Sequence, residues 1–369
     1  MAPVQFHNDP LPPDTLNWEK LIPLIGPAHA ALARYIGTLN GIPNPDVLLS
    51  PLITQEATLS SKIEGTQATM GEVLEYEADE DVVLDSEKRK DIDEILNYRK
   101  ALRYATAELS RLPLSQRLLR DTHSVLMQGV RGQNKDPGNY RKVSNWIGPK
   151  GRPIEEARFV PPSSNRIPDL MSAWEKFLHS DFDDVLVQLA ILHVEFEAIH
   201  PFLDGNGRLG RLLVPLFLVS KGIMSNPNFY ISSMLEANRD AYYDSLLSVS
   251  RDGDWTNWCC FFLKTMTEQA QENERKAHSI LNLYNEKKDW ISDLTHSQYA
   301  IRALDWFFST PIFRTTQFIR SCDIPEPTAN RIIRLVRDNG LLVEVRKSSG
   351  RRAAILAFPQ LISIADGRD

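Results

Sequence analysis

The hydrophobic pattern is helical over most of the chain and changes near Thr295, and that change of period constrains the fold more than any other feature. Helical patterns cover 21–36, 91–109, 115–127, 167–179, 185–199, 209–222 and about 254–288, with apolar residues recurring at three and four over 91–109 and 115–127. A further helical segment starts near Pro51 and runs through SSKIEG, and Gly37 is expected to close the first helix. Residues 1–17 are Pro-rich and aperiodic, an extended lead-in. The acidic stretch EYEADED at 75–81 reads as a solvated loop or helix end. Between 136 and 162, DPGNYRKVSNWIGPKGRPIEEARFVPP interrupts the helices with Gly, Pro and β-formers and suits a hairpin or flap.

From Thr295 the pattern predicts short helices at 297–308, 314–322 and 327–339, the last ended by Gly340. They are followed by LLVEVRKSSGRRAAILAF, which alternates like a hairpin around SSG. Three helices followed by a β-wing is the winged helix-turn-helix order. The expectation is a mainly α chain with a small winged-helix domain at 295–369.

At 369 residues the chain exceeds what one core usually serves, so two or three units are expected. No apolar run reaches the roughly 18 residues a spanning helix needs, and MAPVQFHNDPLPPD lacks the basic and apolar regions of a secretory signal. Cys259, Cys260 and Cys322 have no zinc-ligand spacing; the first two, inside an aromatic run, read as small core residues. A reduced, cytoplasmic protein without membrane contact is the expectation. The net charge of −6 hides an uneven distribution: residues 295–369 carry 11 basic and 7 acidic side chains, net +4, and the rest of the chain is net −10.

The densest chemical signal is HPFLDGNGRLGR at 200–211. Gly205-Asn206-Gly207 permits a tight turn whose backbone N–H groups converge just where a helix begins, which makes an anion site. Arg208 and Arg211 lie three apart on that helix, so both can face one phosphate group. Asp204, just before the nest, is placed to hold a Mg²⁺ ion on the phosphates. His200 ends the preceding helix and has the ordinary pKa of a general base at neutral pH. Such a set describes phosphoryl or nucleotidyl transfer from a triphosphate.

The string resembles the signature of the Fic (Fido) family, H-x-F-x-[DE]-G-N-G-R-x-x-R, and matches every defined position. The resemblance covers roughly residues 50–265. It implies a helical bundle with a β-hairpin flap and transfer of AMP from ATP to a Ser, Thr or Tyr hydroxyl of a target protein or of the chain itself, with release of pyrophosphate. By the same resemblance His200 is the base and Asp204 the Mg²⁺ ligand. Gly205, Asn206, Gly207, Arg208 and Arg211 bind the triphosphate, with Arg211 nearest its γ end. Ser60-Ser61-Lys62-Ile63-Glu64-Gly65 resembles the family's inhibitory sequence [ST]-x-x-x-E-[GN]; Glu64, with Ser60 and Gly65, then pairs with Arg211 where the γ-phosphate belongs.

PGNYR and FVPP at the two ends of the 140–162 stretch resemble the flap that aligns a target segment by strand addition. Tyr242 and Tyr243 in EANRDAYYDSL are candidates for packing on adenine and ribose, and either is as readily a core residue; His193 reads as structural. The implied domains are an N-terminal helical region at 1–110 with the inhibitory helix near 55–66, a Fic core at 111–265, a connecting helix at 266–294 and the winged helix. In the tail Arg331, Arg334 and Arg337 form a helical stripe, and Arg346, Lys347, Arg351 and Arg352 sit on the wing, where DNA phosphates are one conceivable partner and a protein or a second copy of the chain is another. Two alternatives to AMP transfer stay open on sequence: a DNA-binding regulator with a nucleotide-sensing core, and a Fic enzyme that removes AMP or transfers another phosphate-containing group.

Overall fold

The computed structural model describes residues 2–79, 84–149, 151–348 and 353–367. After the short strand β1 (Val4–Gln5), α1 (Trp18–Asn40) runs past Gly37, where the sequence predicted its end; Gly37 is exposed with open space around it and is tolerated within the helix. α2 (Pro45–Leu48) and α3 (Ser50–Ile63) follow. α4 (Met70–Ala78) starts at a capping box, in which Thr69 Oγ1 accepts from Glu72 N–H at 3.3 Å and the Glu72 carboxylate accepts from Thr69 N–H at 2.8 Å. Next come α5 (Ser86–Leu109), α6 (Gln116–Leu126), β2 (Phe159–Val160), α7 (Ile167–His179), α8 (Val185–Ile199) and α9 (Asn206–Ser220). α10 (Ser232–Ala237), α11 (Arg239–Asp252) and α12 (Trp255–Thr295) complete the helical run.

The last part contains α13 (Ala300–Ser309), β3 (Ile312–Arg314), α14 (Thr315–Ser321), α15 (Glu326–Asp338), β4 (Val343–Arg346), β5 (Ile355–Ala357) and α16 (Pro359–Asp366). Among the described residues no helix is long and apolar enough to cross a membrane. Cys259 is buried as expected, and Cys322 is buried too, whereas Cys260, also expected in the core, is only half-buried.

The chain divides into two compact units. The first comprises Met1–Ala33, Leu59–Thr66 and Leu96–Gln271. Its axis is α8, which is mostly apolar and buried on nearly every side, the pattern of a central helix. Two buried indoles fix it in place: Trp174 Nε1 donates to Leu192 O at 2.9 Å and Trp258 Nε1 to Ala190 O at 2.7 Å. The 136–162 stretch is less regular than the predicted hairpin. An antiparallel bridge joins Ile147 to Phe159, and β2 pairs on its other side with β1 in parallel. The lead-in is therefore part of this unit, tied down further by Trp255 Nε1 donating to Asp9 at 2.8 Å and by the buried pair His7–Glu195 at 3.0 Å.

The second unit comprises Arg34–Thr58, Gln67–Ile95 and Glu272–Asp369. Its three-stranded antiparallel sheet has the order β3-β5-β4; three helices precede the paired strands β4 and β5 as the sequence predicted, while β3 between the first two of those helices and α16 after β5 were not predicted. The turn of the wing, with Arg351 and Arg352, lies outside the described residues, as do residues 80 and 81 of the acidic stretch.

Asp79 corrects two expectations. It is fully buried rather than solvated, and its carboxylate pairs with the guanidiniums of Arg314 on β3 and Arg346 on β4. Arg346 is thus engaged inside the unit instead of reaching for phosphates. Arg331 of the α15 stripe likewise donates to Thr295 O at 2.8 Å, and Arg337 pairs with Asp338 at 3.1 Å. Asp79→Ala strands two arginines that each keep about a third of their side-chain surface in solvent, which places the cost at about 3 kcal/mol, the low end for breaking a buried pair. Denaturant titration of the full chain is expected to show that loss, and unchanged stability would remove the pair from the account of this unit.

Candidate active site

Two helix ends meet at the 200–211 string. Asp184 caps the start of α8, accepting from Leu186 N–H at 3.0 Å and Val187 N–H at 2.9 Å. The helix stops at His200, whose φ of 50° and ψ of 60° put a non-glycine residue in the left-handed region. His200 Nδ1 lies 3.3 Å from Glu197 O. A carbonyl only accepts, which assigns the proton to Nδ1 and leaves Nε2 as the basic nitrogen. Burial pushes the imidazole down to about 4, so it is neutral at neutral pH.

The turn that follows is closed by side-chain hydrogen bonds to its backbone. Asn206 is 1% exposed; its Oδ1 accepts from Phe202 N–H and its Nδ2 donates to Phe202 O, both at 2.9 Å. The amide is a turn clamp, and only the backbone N–H of Asn206 is left for the nest. Gly205 sits at φ 78° and precedes α9, whose first-turn N–H groups point out of the helix. A Cβ on Gly205 would lie 2.7 Å from Met127 Sδ, so glycine is required by space as well as by φ. His123 buttresses the turn. Its Nδ1 accepts from Gly138 N–H at 2.9 Å, so Nε2 carries the proton and donates to Asp204 O at 2.8 Å; burial pushes this histidine down to about 4. Its position on the apolar face of α6 reads as core in the sequence.

The two arginines diverge. Arg211, 1% exposed, donates from Nε to Ser60 Oγ at 2.9 Å and from Nη2 to Ser60 O and Glu64 Oε1, both at 2.8 Å. Burial alone would raise the Glu64 carboxyl, but the Arg211 charge and hydrogen bond outweigh it and hold Glu64 below the usual carboxylate range. Arg208 is buried too, but it lies 3.8 Å from Met127 Sδ and 3.5 Å from Asp204 Oδ1. The two guanidiniums are therefore held by different partners, Arg208 by Met127 and Asp204 and Arg211 by Ser60 and Glu64. Gly207 lies against the Glu64–Arg211 contact: a Cβ there would come 2.1 Å from Glu64 Oε1 and 3.0 Å from Arg211 Nη1.

A cavity of about 390 Å³ opens at this point, lined by Glu64, Glu197, His200, Gly207 and Arg211, with Tyr242 and Tyr243 on its α11 wall. Tyr242 is 1% exposed, and its hydroxyl donates to His193 Nε2 at 2.9 Å while His193 Nδ1 faces Gly210 O at 3.2 Å; the pair is a buried network, with His193 structural as expected. Tyr243 is half-buried, donates to Ile63 O at 3.4 Å and carries the Arg239 guanidinium 5.7 Å from its ring centre. Glu197, one turn before His200, was not singled out by the sequence. Burial pushes its carboxyl up to about 8, and a Cβ on Gly210 would meet its Oε1 at 2.2 Å.

Asp204 is partly exposed at the rim of the turn. Its Oδ1 accepts from Gly205 N–H at 2.7 Å and its Oδ2 pairs with Lys135 Nζ at 2.9 Å. Among the described residues no three His, Cys, Asp or Glu side chains cluster as a metal cage. The donor set nevertheless fits Mg²⁺, which is commonly held by one or two carboxylates together with substrate phosphates and water. Gly132 keeps space open beside the carboxylate, since a Cβ there would stand 2.9 Å from Asp204 Oδ2.

Family models match this architecture: one described as Fic/DOC family N-terminal covers residues 22–107, and one described as Fic/DOC family covers 113–218, together just over half of the chain. The chain belongs to the Fic/DOC family. Among curated Fic relatives, a probable protein adenylyltransferase of Aquifex aeolicus is 38% identical over 90 residues, 24% of this chain and 26% of that protein. Protein adenylyltransferase Fic of Drosophila willistoni is 28% identical over 170 residues, 43% of this chain and 30% of that protein. The matches thus span less than a third of these relatives' length. The fold is shared with a Fic family protein from Desulfovibrio desulfuricans, with a TM-score of 0.61, 20% identity and coverage of 95% of this chain and 98% of that one. A Fic domain containing signaling protein from Bacteroides thetaiotaomicron gives 0.52 and 18%, over 68% of this chain and 97% of that one.

Proposed function

We propose that the chain is a protein adenylyltransferase that moves AMP from ATP to a Ser, Thr or Tyr hydroxyl of a target protein, and that Glu64 holds it inactive. The observation that carries this reading is the cavity itself. A neutral histidine with a free Nε2, a helix-start nest and a buried arginine converge on it, and a carboxylate already occupies the arginine. The curated relatives' names add the group transferred.

In this reading His200 Nε2 takes the proton of the target hydroxyl as its oxygen attacks the α-phosphorus, and the bond to the bridging oxygen of pyrophosphate breaks. The N–H groups of 205–207 hold phosphate oxygens, and Arg211, once free of Glu64, neutralises the γ end. Asp204 would hold Mg²⁺, which when bound offsets phosphate charge. Tyr243, the half-buried one of the two tyrosines that line the cavity, packs on the base, while Tyr242 stays in its network with His193. The flap around Ile147 aligns the target segment by backbone pairing.

The test is intact-mass measurement of the Glu64→Gly chain after separate incubation with Mg²⁺ and ATP, CTP, GTP or UTP. A gain of one AMP mass with ATP is expected. A chain that gains no nucleotide, alone or on any added protein, would overturn the reading.

A further inference from the structure

Arg141 ends the PGNYR stretch at the start of the flap, and the mechanism above assigns it nothing. It is 2% exposed, and the acceptors of its guanidinium are carbonyl oxygens drawn from two places. Nε donates to His200 O at 2.9 Å and Nη2 to Ile199 O at 3.4 Å, at the end of α8. Nη1 donates to Val143 O at 3.2 Å and Nη2 also to Pro162 O, at the two feet of the flap. Its backbone N–H adds a bond to Pro201 O at 2.9 Å.

Two features give this cluster a purpose beyond packing. The carbonyls of Ile199 and His200 are the last of α8, so they have no donor within the helix and carry the negative end of its dipole. A buried cation there satisfies both. His200 also adopts the left-handed conformation without being glycine, and such a residue stays there only when its surroundings hold it. Burial pushes Arg141 down to about 10, which still leaves it cationic at neutral pH. Lysine could supply the charge at this place but not the planar fork that reaches several carbonyls at once.

We infer that Arg141 is a positioning residue that locks both feet of the flap to the backbone of His200, so that the segment presenting a hydroxyl and the imidazole receiving its proton keep one fixed geometry. The kinetic half of this inference rests on the adenylyltransferase reading; the structural half does not. Arg141→Gln and Arg141→Lys are made in the full chain carrying Glu64→Gly, and AMP transfer and amide hydrogen exchange are measured on both. Misplacement by about an ångström costs on the order of a hundredfold in rate, so Arg141→Gln should lower kcat by about thirtyfold or more with KM for ATP within about threefold. Arg141→Lys should recover part of that loss. Exchange at 143–162 and 200–206 should quicken about tenfold in Arg141→Gln and stay unchanged along 255–270 of α12.

If the Glu64→Gly parent transfers no AMP, the functional reading fails and exchange alone decides the role of Arg141. Unchanged exchange at the flap feet and at 200–206 overturns the inference. So does an even rise that includes α12, which marks a general core residue, and so does full kcat in Arg141→Gln when the parent is active.

Discussion

Glu64→Gly is expected to raise the rate of AMP transfer by about a hundredfold. The argument starts from the contact: a carboxylate oxygen 2.8 Å from a guanidinium that is 1% exposed, with Ser60 holding the same guanidinium from two atoms. Breaking a buried ion pair costs 3–5 kcal/mol as a rule, and Glu64 keeps 37% of its side-chain surface open, so about 3 kcal/mol is the fitting end of the range. At 1.36 kcal/mol per decade that is about a hundredfold in the population of Arg211 able to meet a γ-phosphate. Gly207 supports the same conclusion, because a Cβ there would collide with Glu64 Oε1, so the backbone at the nest leaves room for the carboxylate. Acid does not substitute for the mutation. The folded-state pKa of Glu64 is lowered, so the pair is complete above the ordinary carboxylate value and is lost only as pH falls through the lowered one. Wild type at pH 5 should stay as inactive as at pH 8. Labelling from α-labelled ATP compares the two chains, and equal rates would sink the inhibitory role of Glu64.

Legibility in the sequence followed the range of the interactions. α7 and α8 run over 167–179 and 185–199 as predicted, because their ends are set by neighbours: Ser180 after one, Asp184 before the other and His200-Pro201 beyond it. The turn at Gly205 and the helix start after it were legible for the same reason. β1 was not, since its partner β2 lies more than 150 residues away and two-residue strands carry no period. Asp79 sits in a stretch of acids that looks like a solvated face, and only Arg314 and Arg346, distant in sequence, make it a buried group. Arg208 and Arg211 show a subtler limit. Three residues apart on a helix differ by about 60° around the axis, enough for two long side chains to part company and face Met127 and Ser60 respectively. Arg141 and His123 bind backbone carbonyls and N–H groups, partners that no residue pattern displays.

His200→Asn in the Glu64→Gly chain is expected to cut AMP transfer by about a thousandfold, within the range of a positioned general base, while leaving ATP binding within about threefold. Asparagine is the informative replacement because it tolerates the left-handed backbone that His200 occupies at φ 50°, whereas alanine would add strain to the loss of the imidazole. Single-turnover transfer with direct measurement of nucleotide binding separates the two effects. More than a tenth of the parental rate in His200→Asn would remove the histidine from proton transfer. The pH profile of the parent gives an independent check. Burial pushes His200 down to about 4, and Glu64 acts to raise it, so deleting Glu64 lowers it further. The acid limb of kcat/KM should therefore fall below pH 5, well under the ordinary imidazole value near 6.5. An acid limb centred at 6.5 would mean an imidazole open to water. The contacts to Glu197 and the buried turn around Phe202 would then not describe the working state of the base.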